Sequence, residues 1–499
     1  MARTLAARSL VARSLVARGV VSDDRPPEPS SGAPVLSNIT ATNIGSDAAT
    51  ISWTVDQPAT GQVDYGTTAS YGSSTTEESS FDYSAHVQGI AGLSPGTEYH
   101  YRVRSTNQAS QETVSGDYTF TTATPSSAYP GTAAIINVAV NSDSMPSYLG
   151  TITDSTWGTE IMRVSNTAGY AAGYSKQMAW NSDGTRLFLG QGFRMLNASD
   201  YSDLGNSHRP FGAEYPVWSN VTATKMYGCA DGVGKLRSWS TSGLAWSDVA
   251  NFALNTISGQ ARAYNHCSLG NYEGNISNDD HLIALVCNTL ANRTGQWDVI
   301  AYDPIDNVVR GTLSNVGGNV DNCGVSQSGD YVYVNGTGDG SGTYQGLRIY
   351  NADMTLVRQV VTYRPHLDMG YDSSGNEVLV NAQAGNMHRL SNGTTTDLFP
   401  GALTAVDGGH VSCRNVDLPG WAFFSDSQSQ HSAKPGFGQI VSVKLDGSGD
   451  VRIYGCHHEV ANLSDNGNYA VPNRDGSKVV FASRWGGSSL YGFVAGVSV

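Results

Sequence analysis

Charge is scarce in this 499-residue chain: Asp, Glu, Lys and Arg make up 14% of it, and 29 basic against 43 acidic residues leave a formal net charge of −14. That balance excludes a general nucleic-acid binder, because neutralising phosphates takes a basic face. Long apolar runs are missing as well. No stretch nears the roughly 18 consecutive apolar residues of a spanning helix, so no membrane span is expected. The six cysteines (Cys229, Cys267, Cys287, Cys323, Cys413 and Cys456) form no CxxC pair, which disfavours a zinc knuckle. Most lie in apolar runs such as HLIALVC; buried free thiols are the leading expectation and one or more disulfides the alternative. What is abundant points away from helices. With 57 Gly, 25 Tyr and many Ser, Thr and Asn, the chain favours short strands joined by turns, and an all-β protein is expected.

The first 19 residues break this pattern. In LAARSLVARSLVARG, Leu5, Leu10 and Leu15 each lead a pentad closed by Arg8, Arg13 or Arg18. The recurring arginines leave no apolar core of the roughly 7 to 15 residues that a secretory signal needs, so none is recognised. A five-residue step advances about 500° around a helix and draws no stripe, while in a strand it flips faces each time. The Arg-rich, acid-free composition fits an organellar transit peptide; the reading preferred here is an anchor, with leucines seated in pockets of the protein's own subunits or of a particle surface. Residues 20–33, rich in Pro, Ser and acid, read as a linker.

From 34 to 123 short alternating strands appear, including ATISWTV, TGQVDYG, TEYHYRVRS and GDYTFTT, at the spacing of a β-sandwich with Trp53 in its core. The segment LSPGTEYHYRV, with Leu93, Pro95, Gly96 and Tyr99 at a corner, resembles the fibronectin type III family. That resemblance implies a spacer or binding module and no chemistry. His86 and His100 read as ordinary surface or edge residues. Residues 124–132, TPSSAYPGT, form a second linker.

Within 133–499 one unit recurs seven times: an inner strand, a tight turn, then a strand of β-branched and aromatic residues, as in KQMAWNSDGTRLFLGQ and YAVPNRDGSKVVFASRW. The turns, near Gly184, Thr224, Asp279, Gly329, Gly375, Gly420 and Gly476, are spaced by roughly 40 to 56 residues, which suits four-stranded blades of a seven-bladed β-propeller. The DG turns followed by runs such as VVFAS resemble TolB-type and oligogalacturonate-lyase-type propellers, which implies a fold without fixing an activity. The last copy has room for only one more strand, and TEIMRVS (159–165) is a strand without an inner partner. It is expected to close the ring as the outer strand of the last blade.

Aligned on their turns, the copies place Lys176, Tyr215, His266, Asn322, His366, His410 and Asn468 where the inner strands begin, around one channel mouth. His266, Asn322, His366 and His410 are the candidate binding residues; His266, His366 and His410, with Asp321 or Asn322 nearby, could hold a divalent metal or an anionic sugar. A solvated polar ring filling the mouth is the plainer alternative. His208, His457 and His458 could join that face. The resemblance to lyase propellers implies a further alternative, β-elimination on a uronate polysaccharide, which needs a base, an acid and a cation. Arg262, Tyr264 and His266, alternating in ARAYNH, and Arg364 two residues before His366 are the candidates for those roles. No complete catalytic motif appears. The expected function is therefore that of a surface-exposed, particle-attached adhesion or structural protein, on a virion or extracellular surface, whose propeller binds a cell-surface glycan or a protein.

Overall fold

The computed structural model describes residues 32–42, 44, 48–81, 84–91, 93–94, 97–122, 142–205, 216–229, 233–338, 344–399, 409–425, 438–458 and 469–496. The arm with Leu5, Arg8, Leu10, Arg13, Leu15 and Arg18 lies outside them, as do the 124–132 linker, Pro95, Gly96, His208, Tyr215 and Asn468. Among the described residues the chain is all-β, with one single-turn 3-10 helix at Phe252–Leu254 and a left-handed turn at Gly270–Tyr272.

The first domain is a sandwich. Leu36–Thr42, Ala48–Val55 and Ala85–Ala91 form one sheet; Ser73–Ser74, Gln62–Gly66, Glu98–Thr106 and Glu112–Val114 form the other, with Tyr118–Thr121 also paired to Glu98–Thr106. Along Glu98–Thr106 the period-2 rule holds strictly: Tyr99, Tyr101, Val103 and Ser105 point inward. Arg102 and Arg104 point outward and both reach Asp64, at 2.8 and 3.1 Å. Trp53 is the core tryptophan, its indole N–H donating to Ser105 Oγ at 3.0 Å. The Tyr99 hydroxyl accepts the Ser94 N–H at 2.9 Å, fixing the corner. His86 departs from expectation. It is buried, stacked 4.9 Å from Trp53 with Nδ1 2.7 Å from Glu78, because Gly61 leaves the space: a Cβ there would lie 2.6 Å from the imidazole.

Among the described residues seven antiparallel sheets follow. Sheet 1 has Arg186–Leu189 and Arg194–Asn197. Sheet 2 has Val217–Trp218, Lys225–Cys229, Lys235–Ser240 and Ala245–Asn251. Sheet 3 has His266–Leu269, Ile283–Asn288, Trp297–Asp303 and Val308–Leu313. Sheet 4 has Val320–Val325, Tyr331–Gly336, Leu347–Asn351 and Leu356–Val361. Sheet 5 has Leu367–Tyr371, Glu377–Asn381, Asn386–Arg389 and Thr395–Asp397. Sheet 6 has His410–Ser412, Trp421–Ser425, Gln439–Lys444 and Val451–Cys456. Sheet 7 joins Val471–Pro472, Val479–Ser483 and Tyr491–Ala495 to Glu160–Arg163 and Thr151–Thr153. Sheet 1 is thinner than the four strands expected, and single bridges from Trp180 to Leu187 and from Leu196 to Asp203 stand in for its flanking strands.

Each sheet is apolar on both faces, and each face packs on a different neighbour. In Ile283–Asn288, Ile283, Leu285 and Cys287 join a core shared with sheet 2, whereas Ala284 and Val286 join one shared with sheet 4. Such two-sided burial explains the unbroken apolar run IALVC, which alternation alone would not produce. The same interleaving links sheets 4 and 5, 5 and 6, 6 and 7, 7 and 1, and 1 and 2. The cores therefore close a propeller ring.

Closure occurs where the sequence suggests it. Ile161, Met162 and Arg163 pair with Ala495, Val494 and Phe493. An unexpected fifth strand, Thr151–Thr153, covers the outer edge of that closing strand. Gly476 shows why the turns need glycine: its φ is +67°, and a Cβ would meet Leu418 at 2.5 Å.

Ile161 is fully buried in the closing strand. Ile161→Ala should cost about 2–5 kcal/mol in urea unfolding. Removing residues 142–165 should expose the Tyr491–Ala495 edge and give time-dependent light scattering at concentrations where the intact chain stays clear.

Candidate functional site at the mouth of the central channel

The inner strands of sheets 4, 5 and 6 start at Val320, Leu367 and His410, and the segment leading into sheet 1 carries Tyr174 and Lys176. These starts meet at one end of the ring axis. Lys176 is 1% exposed, with Nζ 2.9 Å from Asn322 Oδ1 and 3.0 Å from Glu273 Oε2. Asn322 donates to Asp321 at 2.9 Å, and Arg364 pairs with Asp321 at 3.1 Å. Burial opposes the Lys176 charge, but Glu273 and Tyr174 outweigh it and hold the ammonium above the usual lysine value. Burial and the Glu273 charge push the Asp321 carboxyl up, against the pull of Arg364 and Lys176. Deeper along the axis Arg414 grips Asp368 at 2.9 Å, both side chains fully enclosed.

Beside this network His366 and His410 stack with ring centroids 4.3 Å apart and planes inclined by 18°. His366 Nδ1 lies 3.2 Å from Gly409 O. Tyr469 meets His410 edge-on at 4.6 Å, and Tyr174 does so at 5.5 Å. All four rings stay partly open to solvent. Burial and the Lys176 charge lower the pKa of His366, and burial, His366 and Lys176 lower that of His410 strongly, so both imidazoles are neutral at pH 7.

Glu273, Tyr174 and Tyr469 are mouth residues that turn alignment missed. Glu273 arrives by an excursion: after His266–Leu269 the chain makes the Gly270–Tyr272 turn, with Asn271 and Tyr272 at φ +58° and +77°, before resuming pairing at Ile276. Asn271 clamps the excursion by donating to Asp321 O at 2.8 Å. Two successive non-glycine residues at positive φ cost of order 1–3 kcal/mol each, and such strain clusters at functional sites. The visible signal was length, since NHCSLGNYEGNISNDDHLIALVC is longer than its sister copies.

Other candidates are placed differently. The strand begins at His266, so Arg262 and Tyr264 precede it and share no strand face with it. Both instead converge on the buried Asp298, Tyr264 donating at 2.6 Å and Arg262 pairing at 3.2 Å. Burial and Asp298 drive the Tyr264 pKa far above the usual tyrosine value, which suits a structural tie and not an acid catalyst. His266 packs edge-on against Trp297 of its own sheet, at 6.0 Å. Arg364 and His366 likewise precede their strand and diverge, to Asp321 and Gly409 respectively. The three histidines expected to hold a metal do not form a ligand group. Among the described residues the group whose ligand atoms lie within 4.8 Å of one another is His281, Asp303 and Asp306, and Arg310 already pairs with Asp303 there. His458 lies against Trp485, centroids 3.8 Å apart, next to Asp154.

Comparisons with known proteins give likenesses to separate parts of the chain. The profile of the purple acid phosphatase N-terminal domain family matches residues 34–122, the sandwich. No curated protein matches the chain. Among solved structures, an oligogalacturonate lyase from Vibrio parahaemolyticus is similar at 10% identity and TM-score 0.49, covering 70% of this chain and 96% of its own. An oligogalacturonate lyase in complex with manganese is similar at 12% identity and TM-score 0.49, covering 72% of this chain and 99% of its own. Neither likeness fixes an activity.

The lowered imidazole pKa values set a pH dependence. A histidine held below its unfolded value of about 6.5 stabilises the fold above that pH, and the contribution is lost as pH falls, because the unfolded chain binds the proton more readily. Stability should therefore drop as pH falls from about 7.5 through the lowered folded-state values, by at most about 1.4 kcal/mol per pH unit for each imidazole. His410→Phe should show a smaller drop when urea midpoints are compared.

Proposed function

We propose that the propeller mouth is a glycan-binding site, carried by a protein displayed on an extracellular or particle surface with the sandwich as spacer. The observation that carries this reading is the group of four partly exposed rings, His366, His410, Tyr174 and Tyr469, beside a charge-matched polar network. Neutral imidazoles and tyrosines offer ring faces, ring edges and hydrogen-bonding atoms to a polyhydroxylated ring. Elimination on a uronate would ask for a cation to neutralise the substrate carboxylate. Among the described residues both mouth cations are engaged, Lys176 with Glu273 and Arg364 with Asp321, which favours recognition over catalysis.

Glycan-array binding followed by calorimetry tests the site. His366→Ala and Tyr469→Ala should each weaken binding about tenfold or more, equivalent to about 1.4 kcal/mol, with little change in melting temperature. Incubation with uronate polysaccharides should give no ultraviolet-absorbing unsaturated product; a product that disappears in His366→Ala would establish the lyase reading in place of binding alone.

Display by the basic arm belongs to the same proposal and rests on the Leu and Arg pentads. Deleting residues 2–19 should release the protein from its particle or oligomer in co-sedimentation while both β-domains keep their melting transitions. Unchanged attachment would reject the anchor.

A further inference from the structure

We infer that Cys267 and Cys287 are a disulfide-forming pair that cross-links the first two strands of sheet 3 when the chain folds in an oxidising medium. All six cysteines are buried, and in this structure none is bridged. Yet these two face each other directly across the ladder, and their sulfurs are 2.9 Å apart.

The backbone favours the bond. The Thr289 N–H donates to Gln296 O on the third-strand side, whereas Leu282 O accepts from Ser277 N–H on the inner side. Peptide groups alternate along a strand, so even-numbered residues of Ile283–Asn288 bond inward and odd-numbered ones outward. Cys287 is odd, which makes its pair with Cys267 a non-hydrogen-bonded one. Such pairs bring Cα atoms to about 4.5 Å, inside the roughly 4.4–6.8 Å range of disulfides. The side chains of such a pair also approach each other closely, as the sulfurs do here.

Timing follows from burial. Both thiols are sealed in the core between sheets 2 and 3, along with Tyr227, Cys229 and Tyr264. Burial and Cys267 push the Cys287 thiol well above its ordinary value, so the folded reduced protein holds little of the reactive thiolate. The bond therefore forms while the hairpin of sheet 3 is still open to solvent. The oxidant is a small-molecule disulfide such as oxidised glutathione. One cysteine thiolate attacks it and expels one thiolate; the second cysteine attacks the resulting mixed disulfide and expels the other. The two protein thiol hydrogens end on two molecules of reduced thiol, and the protein gains one S–S bond.

Cys229 and Cys323, buried on sheets 2 and 4, are close enough to influence Cys287 electrostatically and are the competing partners. In the folded chain they lie across a packed interface and not across a strand pair, so the hairpin, which closes 20 residues of chain, pairs first.

The test is oxidative refolding of the full chain with oxidised glutathione, beside a parallel refolding under reductant. After each, thiols are counted in denaturant and the cross-link is mapped by digestion and mass spectrometry. The expected result is six thiols under reductant and four after oxidation, with one peptide pair joining Cys267 to Cys287, lighter by two hydrogens, and a higher melting temperature. Cys229→Ala should keep the cross-link and Cys287→Ala should lose it. Six thiols after oxidative refolding, or a cross-link mapped to Cys229 or Cys323, would overturn the inference; the thiol count on the unmodified chain decides this even where a variant fails to fold.

Discussion

Two-sided burial governs this molecule. Every propeller sheet is apolar on both faces, so each needs a neighbour on either side, and only a closed ring provides this for all seven. The pairing of Ile161–Arg163 with Phe493–Ala495 is the seam of that ring. It joins a segment near the start of the propeller to the chain's last strand, so the seam cannot form until nearly all the chain is in place. The extra strand at Thr151–Thr153 then moves the exposed edge onto a short strand, which lessens its capacity to template pairing with another molecule.

Ring closure also creates the polar axis. Inner strands converge, and the residues at their starts lose water whether or not they are polar. The chain answers by pairing them: Asp368 with Arg414 inside, Lys176 with Glu273 and Asn322 near the mouth, Asp321 with Arg364 at the rim. A buried charge without such a partner would be costly, so this network is first a condition of folding. The four rings beside it are different, because they keep part of their surface open to solvent. That contrast between a paired charge network and less enclosed neutral rings is the basis for proposing the rings as the ligand-facing part of the mouth.

The strained excursion at Asn271 and Tyr272 joins the two parts. It lifts Glu273 out of the inner strand of sheet 3 and sets it against Lys176. Without Glu273, Lys176 would be a nearly unsolvated cation with Asn322 as its partner, and His366 and His410 would face an uncompensated positive charge. A local backbone cost thus stabilises an arrangement several strands away.

Much of the architecture was legible in the chain itself, because the signals are local. Alternation in TEYHYRVRS, apolar runs such as IALVC, tight turns recurring every roughly 40 to 56 residues and the unpartnered TEIMRVS specify strands, blades and closure through short-range periodicity and turn chemistry. The set of turn-aligned positions held the right neighbourhood, and within it His366, His410, Lys176 and Asn322 do come together. Alignment failed where a single residue of register or a few inserted residues decide the outcome. Arg262 and Tyr264 fall before the strand begins and turn to Asp298, His266 faces Trp297, and Glu273 reaches the axis through an insertion that no period contains. The sequence by itself determined which segments become strands and how they succeed one another, since those depend on neighbours a few residues apart. Which side chains meet at the axis was decided only by the tertiary structure, because that depends on where each inner strand starts and on how seven sheets close around one line.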